Sequence, residues 1–123
     1  MNFDKDSQLN SIGEHAFANS SIEEISIPRN VTELGHGAFA ECNLSEIEFE
    51  ENCDLKKIGH ECFFESRLKS VKFPKNLVEI GESAFYFCNV KSIVFPSDSK
   101  MKYLGPESFE NCSVHSLRIP SSV

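Results

Sequence analysis

Residues 12–28 read IGEHAFANSSIEEISIP, and this stretch decides the fold because its pattern recurs along the chain. Its opening Ile/Leu-Gly pair occurs at Ile12-Gly13, Leu34-Gly35, Ile58-Gly59, Ile80-Gly81 and Leu104-Gly105, at steps of 22, 24, 22 and 24 residues. A phenylalanine follows each glycine by four residues, at Phe17, Phe39, Phe63, Phe85 and Phe109. Chance does not bring so many positions into register, so the chain is a repeat array.

Each repeat contains a short alternating segment that a proline usually closes. In Ile25-Ser26-Ile27-Pro28 the apolar side chains share one face, which predicts a strand that ends where proline offers no N–H. The segment 16–20 is too short for a full helix and predicts one helical or 3₁₀ turn on the outer side. The glycine is expected to supply backbone freedom at a corner. No repeat buries its apolar residues alone, so stacked repeats must share one core.

The repeated positions follow the pattern I-G-x-x-A-F-x-x-C-x-L-x-x-I-x-I-P-x-x-V. With it the chain resembles the BspA-like leucine-rich repeat family of bacterial and protist surface proteins, over roughly residues 9–123. The resemblance implies an α/β, β-rich leucine-rich-repeat solenoid with about five rungs of 22–24 residues, a short parallel inner β-sheet and outer helical or 3₁₀ turns. We expect residues 1–123 to form a single solenoid domain, with repeats beginning near 12, 34, 58, 80 and 104 and the last one incomplete. We also expect this domain to be a fragment of a longer array.

Composition narrows the classes of function. The chain has 123 residues, of which 40% are hydrophobic, and its net charge is −7. Nucleic-acid binding is not expected, since it needs a basic face, and no apolar run is long enough for membrane insertion. Residues 1–8, MNFDKDSQ, have neither a basic nor an apolar segment and predict no signal peptide in this chain. The family suggests a surface or secreted location, and the sequence leaves the compartment open.

A first candidate site lies between the apolar strand positions, on residues expected to line the inner sheet. The first two rungs carry acidic side chains there and the last three carry basic ones. The candidate partner-binding residues are Glu24, Glu46, Glu48, Lys69, Lys72, Lys91 and Arg118. Glu48 is expected one rung from Lys72, close enough to pair. Such a bipolar surface orients a partner or favours antiparallel self-association, and the alternative is a solvated face whose charges segregate by coincidence.

A second candidate site consists of aromatic residues that the repeat does not require. Phe64 and Tyr86 share one position on adjacent rungs, and Phe87 is next to Tyr86. Clustered exposed aromatic residues predict an interface at this edge. The alternative is that the outer turn tilts and buries them.

Histidines and cysteines give weaker signals. His36 and His60 occupy one position on neighbouring rungs with carboxylates beside them, which would suit zinc. An exposed polar corner explains them more simply, so no metal and no cofactor is predicted. The five cysteines are odd in number and are expected to be reduced thiols, mostly in the core. Cys88 and Cys112 are stacked neighbours that an oxidising compartment would allow to pair. Cys53 lies in an extra loop and is predicted to be the most exposed thiol.

The sequence contains no nucleophile motif, phosphate loop or dinucleotide fingerprint, so no enzyme is predicted. The repeats instead predict a non-catalytic protein-binding module. The resemblance implies adhesion or recognition, with a host or matrix protein as partner. The alternative is a structural or self-associating solenoid, or an intracellular scaffold. An apolar last rung with Ile119 and Val123 motivates that homo-oligomer.

Overall fold

Short strands wind into a parallel β-solenoid in the computed structural model, which describes residues 3, 7–112, 116–118 and 120–123. In chain order they are β1 (Ser11–Ile12), β2 (Glu24–Ile27), β3 (Glu33–Leu34), β4 (Glu46–Phe49), β5 (Lys57–Ile58), β6 (Ser70–Lys72), β7 (Glu79–Ile80), β8 (Ser92–Val94), β9 (Tyr103–Leu104) and β10 (Ser116–Leu117). The odd-numbered strands end at the Ile/Leu of each Ile/Leu-Gly pair and form one five-stranded parallel sheet, the corner sheet. Each strand pairs with its counterpart one repeat later, so this sheet spans four turns of the solenoid.

The even-numbered strands cover a second side and correspond to the predicted inner sheet. Here β2 pairs in parallel with β4, while β8 pairs in parallel with both β6 and β10. The ladder is interrupted between β4 and β6, although the Lys69 N–H still donates to the Ser45 carbonyl at 3.2 Å. The predicted sheet is therefore present as two shorter ones. The corner sheet was not predicted from the sequence.

Columns of identical side chains build the core, as the repeat predicts. The rings of Phe17, Phe39, Phe63, Phe85 and Phe109 form one continuous stack with centroid separations of 5.3, 5.5, 5.1 and 5.3 Å. A second column, Phe49, Phe73 and Phe95, follows the even-numbered strands. The middle rings of the first column are fully buried. Since each ring covers its neighbours, burial and stacking reinforce each other along the whole array.

The outer turns comprise residues 13–20, 35–42, 59–66, 81–88 and 105–112. The sequence predicts one helical or 3₁₀ turn in each, and this prediction is wrong. Within the described ranges the chain forms no helix of any type, and hence none able to cross a membrane. Left-handed residues explain why. The second and sixth residues after the repeat glycine have φ near +55°, as in His15 (53°) and Asn19 (58°), which a right-handed helix excludes.

Backbone hydrogen bonds alternate along each outer turn. The N–H groups of residues 15, 17 and 19 donate to carbonyls of residues 36, 38 and 40 on the next rung, at 2.8–2.9 Å. Those of residues 16, 18 and 20 donate within the turn, to the carbonyl three residues earlier. Each outer turn is therefore a series of β-turns that is hydrogen-bonded to the next rung, and not an independent helical turn.

The repeat glycines are required by close approach and not by backbone freedom, which corrects the expectation above. Among the repeat glycines from Gly13 to Gly105, none has a left-handed φ. A Cβ on Gly59 would lie 2.7 Å from the Gly35 carbonyl carbon and 2.7 Å from the His36 nitrogen. At Gly13, by contrast, nothing lies within 4 Å of such an atom.

This difference supplies a test with an internal control. Gly59→Ala is expected to lower the free energy of unfolding by about 1–3 kcal/mol, because two rungs must separate to accept the methyl group. Gly13→Ala introduces the same group into open space and is expected to change stability by less than about 0.5 kcal/mol. Urea denaturation followed by circular dichroism measures both. Equal midpoints for the two variants would refute the close-approach explanation.

Candidate functional site

The even-numbered strands present a row of exposed charges. Apolar residues of these strands point into the core, and the residues between them point to solvent, as in β2, where Ile25 is 3% exposed and Glu24 is exposed. Parallel pairing brings Glu24 opposite Glu46 and Ser26 opposite Glu48. We call this surface the charged face; its members are Glu23, Glu24, Glu46, Glu48, Lys69, Lys72, Lys91 and Arg118, all exposed.

Charge on this surface is segregated, as the sequence analysis predicted. Glutamates occupy the rungs of β2 and β4, and they border a shallow depression that also includes Ser21, Ile22 and Ser45. Lysines and Arg118 occupy the rungs of β6, β8 and β10, beside Val94, which is 44% exposed. The predicted pairing of Glu48 with Lys72 is wrong: both residues are described, and no ion pair joins them. The ladder is interrupted between their strands, so no register pair sets them opposite each other.

The additional aromatic residues form a real cluster on the outer turns. Phe64 and Tyr86 stack with their centroids 5.7 Å apart and their planes within 4°. Tyr86 and Phe87 meet edge to face at 4.6 Å. Phe64 and Tyr86 are half-buried, and Phe87 is 51% exposed. The turn therefore does not bury the group, and we call these three residues the aromatic cluster.

The two candidate zinc ligands lie on neighbouring rungs. The rings of His36 and His60 are 6.2 Å apart, and His15 lies 5.2 Å from His36 on the other side. The His60 Nδ1 accepts a hydrogen bond from the Glu82 N–H at 3.2 Å, so that nitrogen is already engaged. Over the described residues, no three His, Cys, Asp or Glu side chains are arranged to hold a metal ion.

Comparison with known proteins agrees with the repeat solenoid described above. The family described as "BspA type Leucine rich repeat region (6 copies)" matches residues 2–115. The chain belongs to the BspA-type leucine-rich repeat family. No curated protein sequence matches it significantly.

Two solved structures are similar in fold to this chain. The pneumococcal vaccine antigen PcpA superposes with a TM-score of 0.80 at 26% identity, over 89% of this chain and 32% of that one. The leucine-rich repeat protein TpLRR of T. pallidum superposes with a TM-score of 0.80 at 28% identity, over 94% of this chain and 55% of that one. The chain thus spans about a third of the first protein and about half of the second.

One charged feature of these BspA-type repeats was missed in the sequence. On the corner sheet the Lys57 Nζ lies 4.0 Å from a Glu33 carboxylate oxygen and 3.5 Å from one of Glu79. Strand pairing places the three residues in one column. The sequence contains the pattern that predicts this column, because Glu33, Lys57 and Glu79 each directly precede the Ile/Leu of the repeat motif. Glu33 and Lys57 are exposed and Glu79 is half-buried. Solvent-accessible pairs of this kind contribute only about 0–1 kcal/mol each, so this ladder is a minor stabilising feature.

The five cysteines are free, and four of them are buried. Contrary to the prediction, Cys53 is only 2% exposed, because the extra loop turns inward and its Sγ donates to the Pro28 carbonyl at 3.8 Å. Cys112 is half-buried, and its Sγ donates to the Phe85 carbonyl at 2.6 Å. Burial, reinforced by Cys88, raises the pKa of Cys112 to about 11. Burial also raises the pKa of Cys42, Cys53, Cys62 and Cys88.

Iodoacetamide labelling read by peptide mass spectrometry tests this description. The thiolate is the reactive form, so the labelling rate of native Cys112 is expected to keep rising about tenfold per pH unit up to about pH 10. Thiols of the urea-unfolded chain should level off near their ordinary pKa of 9.0. In the native chain Cys112 should react first. A rate for Cys112 that levels off below about pH 9, or labelling of Cys53 at the same rate, would contradict the packing described.

Proposed function

We propose that this chain is a non-catalytic protein-binding module that recognises its partner through the charged face, in the manner of an adhesion or recognition repeat. The observation that carries the proposal is the segregation of charge on an extended, hydrogen-bonded surface. Glu46 and Glu48 stand at one end and Lys69, Lys72 and Lys91 towards the other, all exposed. A partner with the opposite arrangement is attracted and oriented at once, since complementary potentials act before contact.

Membership of the BspA-type family supports a binding role, and so does the likeness to a vaccine antigen. Stacked repeats offer a broad surface rather than a closed pocket, which suits a macromolecular partner better than a small molecule. A host or matrix protein is the partner that the family resemblance favours.

A charge-reversal series on purified extracellular matrix proteins tests this function. The variant Lys69→Glu/Lys72→Glu/Lys91→Glu is expected to weaken binding at least tenfold, measured by biolayer interferometry at moderate salt. The control Lys56→Glu/Lys75→Glu/Lys102→Glu makes the same change in net charge at three exposed lysines outside the charged face and should bind as the parent does. If both variants lose binding equally, binding depends on net charge alone and the charged face is not the binding surface. If no matrix protein binds the parent chain, the matrix role fails.

The same surface favours a second candidate function, self-association. Two charged faces related by a two-fold axis place the glutamates of one copy against the lysines of the other. A structural or scaffolding solenoid would use that contact, and this candidate needs no foreign partner.

Light scattering after size-exclusion chromatography separates the two functions. Self-association predicts a dimer at about 0.05 M salt that dissociates at about 0.5 M, where charges more than a few ångströms apart are screened. It also predicts a monomer for the Lys69/Lys72/Lys91 variant at low salt. A chain that stays monomeric in both buffers would eliminate this candidate.

A further inference from the structure

The aromatic cluster is not needed to build the fold. Phe64 and Tyr86 occupy the position that Ala18, Ala40 and Glu110 fill on other rungs. Phe87 occupies the position that Asn19, Glu41, Glu65 and Asn111 fill there. The solenoid therefore accommodates alanine, asparagine or glutamate at these positions on its other rungs.

The backbone conformation at Phe87 is unfavourable for a phenylalanine. Its φ is 54°, in the left-handed region that asparagine tolerates and that a bulky residue adopts only at a cost. Its ring is half exposed, so core packing does not compensate for that cost. The chain thus holds an aromatic ring in solvent at a position where the local backbone favours another residue.

Charged side chains within the outer turns that carry the cluster are all acidic. The outer turns contain seven glutamates and neither lysine nor arginine, so the rest of the chain, with twelve acidic and twelve basic residues, is neutral overall. The seven are Glu14, Glu41, Glu61, Glu65, Glu82, Glu107 and Glu110, all exposed. The outer turns, which carry the aromatic rings, therefore account for the net charge of −7.

Two of these glutamates border the cluster directly. The Glu65 N–H donates to the Tyr86 carbonyl at 3.0 Å, and the Phe87 N–H donates to the Glu110 carbonyl at 3.2 Å. Glu65 thus lies one rung before Phe87 in its column, and Glu110 lies one rung after Tyr86. Both residues are described, and neither forms an ion pair.

We propose that the aromatic cluster is a docking surface for a basic segment of a partner protein. An arginine side chain lies against the exposed part of the Phe87 ring, where a guanidinium stacks and is attracted by the ring quadrupole. Neighbouring cations of the same segment pair with Glu65 and Glu110. An acidic segment is repelled, and a purely apolar one would bury carboxylates without compensation. This surface is separate from the charged face, so the inference goes beyond the function proposed above and stands or falls independently of it.

A fluorescein-labelled peptide of alternating arginine and serine is the probe, and fluorescence anisotropy on the full chain is the readout. The variant Phe64→Ala/Tyr86→Ala/Phe87→Asn installs residues that other rungs already use, and it is expected to weaken binding at least tenfold. Phe87→Asn alone should weaken it about threefold to fivefold. Glu65→Gln/Glu110→Gln should weaken it about threefold and flatten the salt dependence.

Two controls match these changes elsewhere on the surface. Tyr103→Ser removes an aromatic side chain of equal exposure, 50%, from the corner sheet. Glu51→Gln/Asp98→Asn removes two exposed carboxylates that lie outside both the charged face and the outer turns. Both should bind the probe as the parent chain does. Phe87→Asn should also unfold at the same or a higher urea concentration than the parent, which separates lost binding from lost structure.

Tyrosine fluorescence provides a direct report from the cluster. The chain has two tyrosines and no tryptophan, so in Tyr103→Phe the remaining signal comes from Tyr86 alone. The unlabelled arginine peptide should change that signal with the same midpoint as the anisotropy curve, and an alternating glutamate and serine peptide should not.

Three results would overturn the inference. The first is a triple aromatic variant that binds the arginine peptide as tightly as the parent. The second is an equal loss in the Tyr103→Ser or Glu51→Gln/Asp98→Asn controls, which would reduce the effect to general charge. The third is a dimer of the unliganded chain that the triple aromatic variant abolishes, because the occupant would then be a second copy of this chain.

Discussion

Register between neighbouring rungs is the constraint on which the rest of the structure depends. At the corner sheet the later rung donates to the earlier one, as in Gly35 N–H to the Ile12 carbonyl at 2.8 Å. In the outer turns the direction is reversed, as in His15 N–H to the His36 carbonyl at 2.8 Å. Each rung is thus held to the next on more than one side, and the side-chain columns follow from this backbone registration. A shift of one residue would break both ladders and the phenylalanine stack together.

Periodicity predicts this registration well, because like residues must stack on like. The columns of Phe39, Phe63 and Phe85 and the exposed columns of the charged face could be assigned from spacing alone. The sign of φ could not, since neither His15 nor Glu61 is a residue that demands a left-handed backbone. For that reason the sequence predicts helical outer turns, whereas the structure has β-turns hydrogen-bonded to the next rung. The close approach of the backbone at the repeat glycines was missed for a similar reason. The sequence of one repeat does not reveal the distance between neighbouring rungs.

The candidate sites show the same limit. Spacing brought Phe64 and Tyr86 together correctly, because they share a column. It failed for Glu48 and Lys72, whose strands are separated by a break in the ladder. It also failed for Cys53, whose side chain lies in the core although the residue belongs to the loop with two extra residues. Residues inside the strict period were placed well, and residues at its irregularities were not.

Two surfaces of different chemistry are separated on this small solenoid. The charged face carries both signs of charge on hydrogen-bonded strands, while the outer turns carry carboxylates and aromatic rings on β-turns. Because the elements alternate along the chain, every repeat contributes to both surfaces. A substitution on one side leaves the other in place, so the two can change independently within one hydrogen-bonded frame.

The variable length of the repeats has a consequence for engineering. The eight-residue outer turn keeps its length in every repeat, whereas the connection after the even-numbered strands tolerates two additional residues, at 51–54 and again at 97–100. These connections are therefore the places to graft a foreign epitope, and whole units of 22 or 24 residues are the natural modules for lengthening or shortening the scaffold.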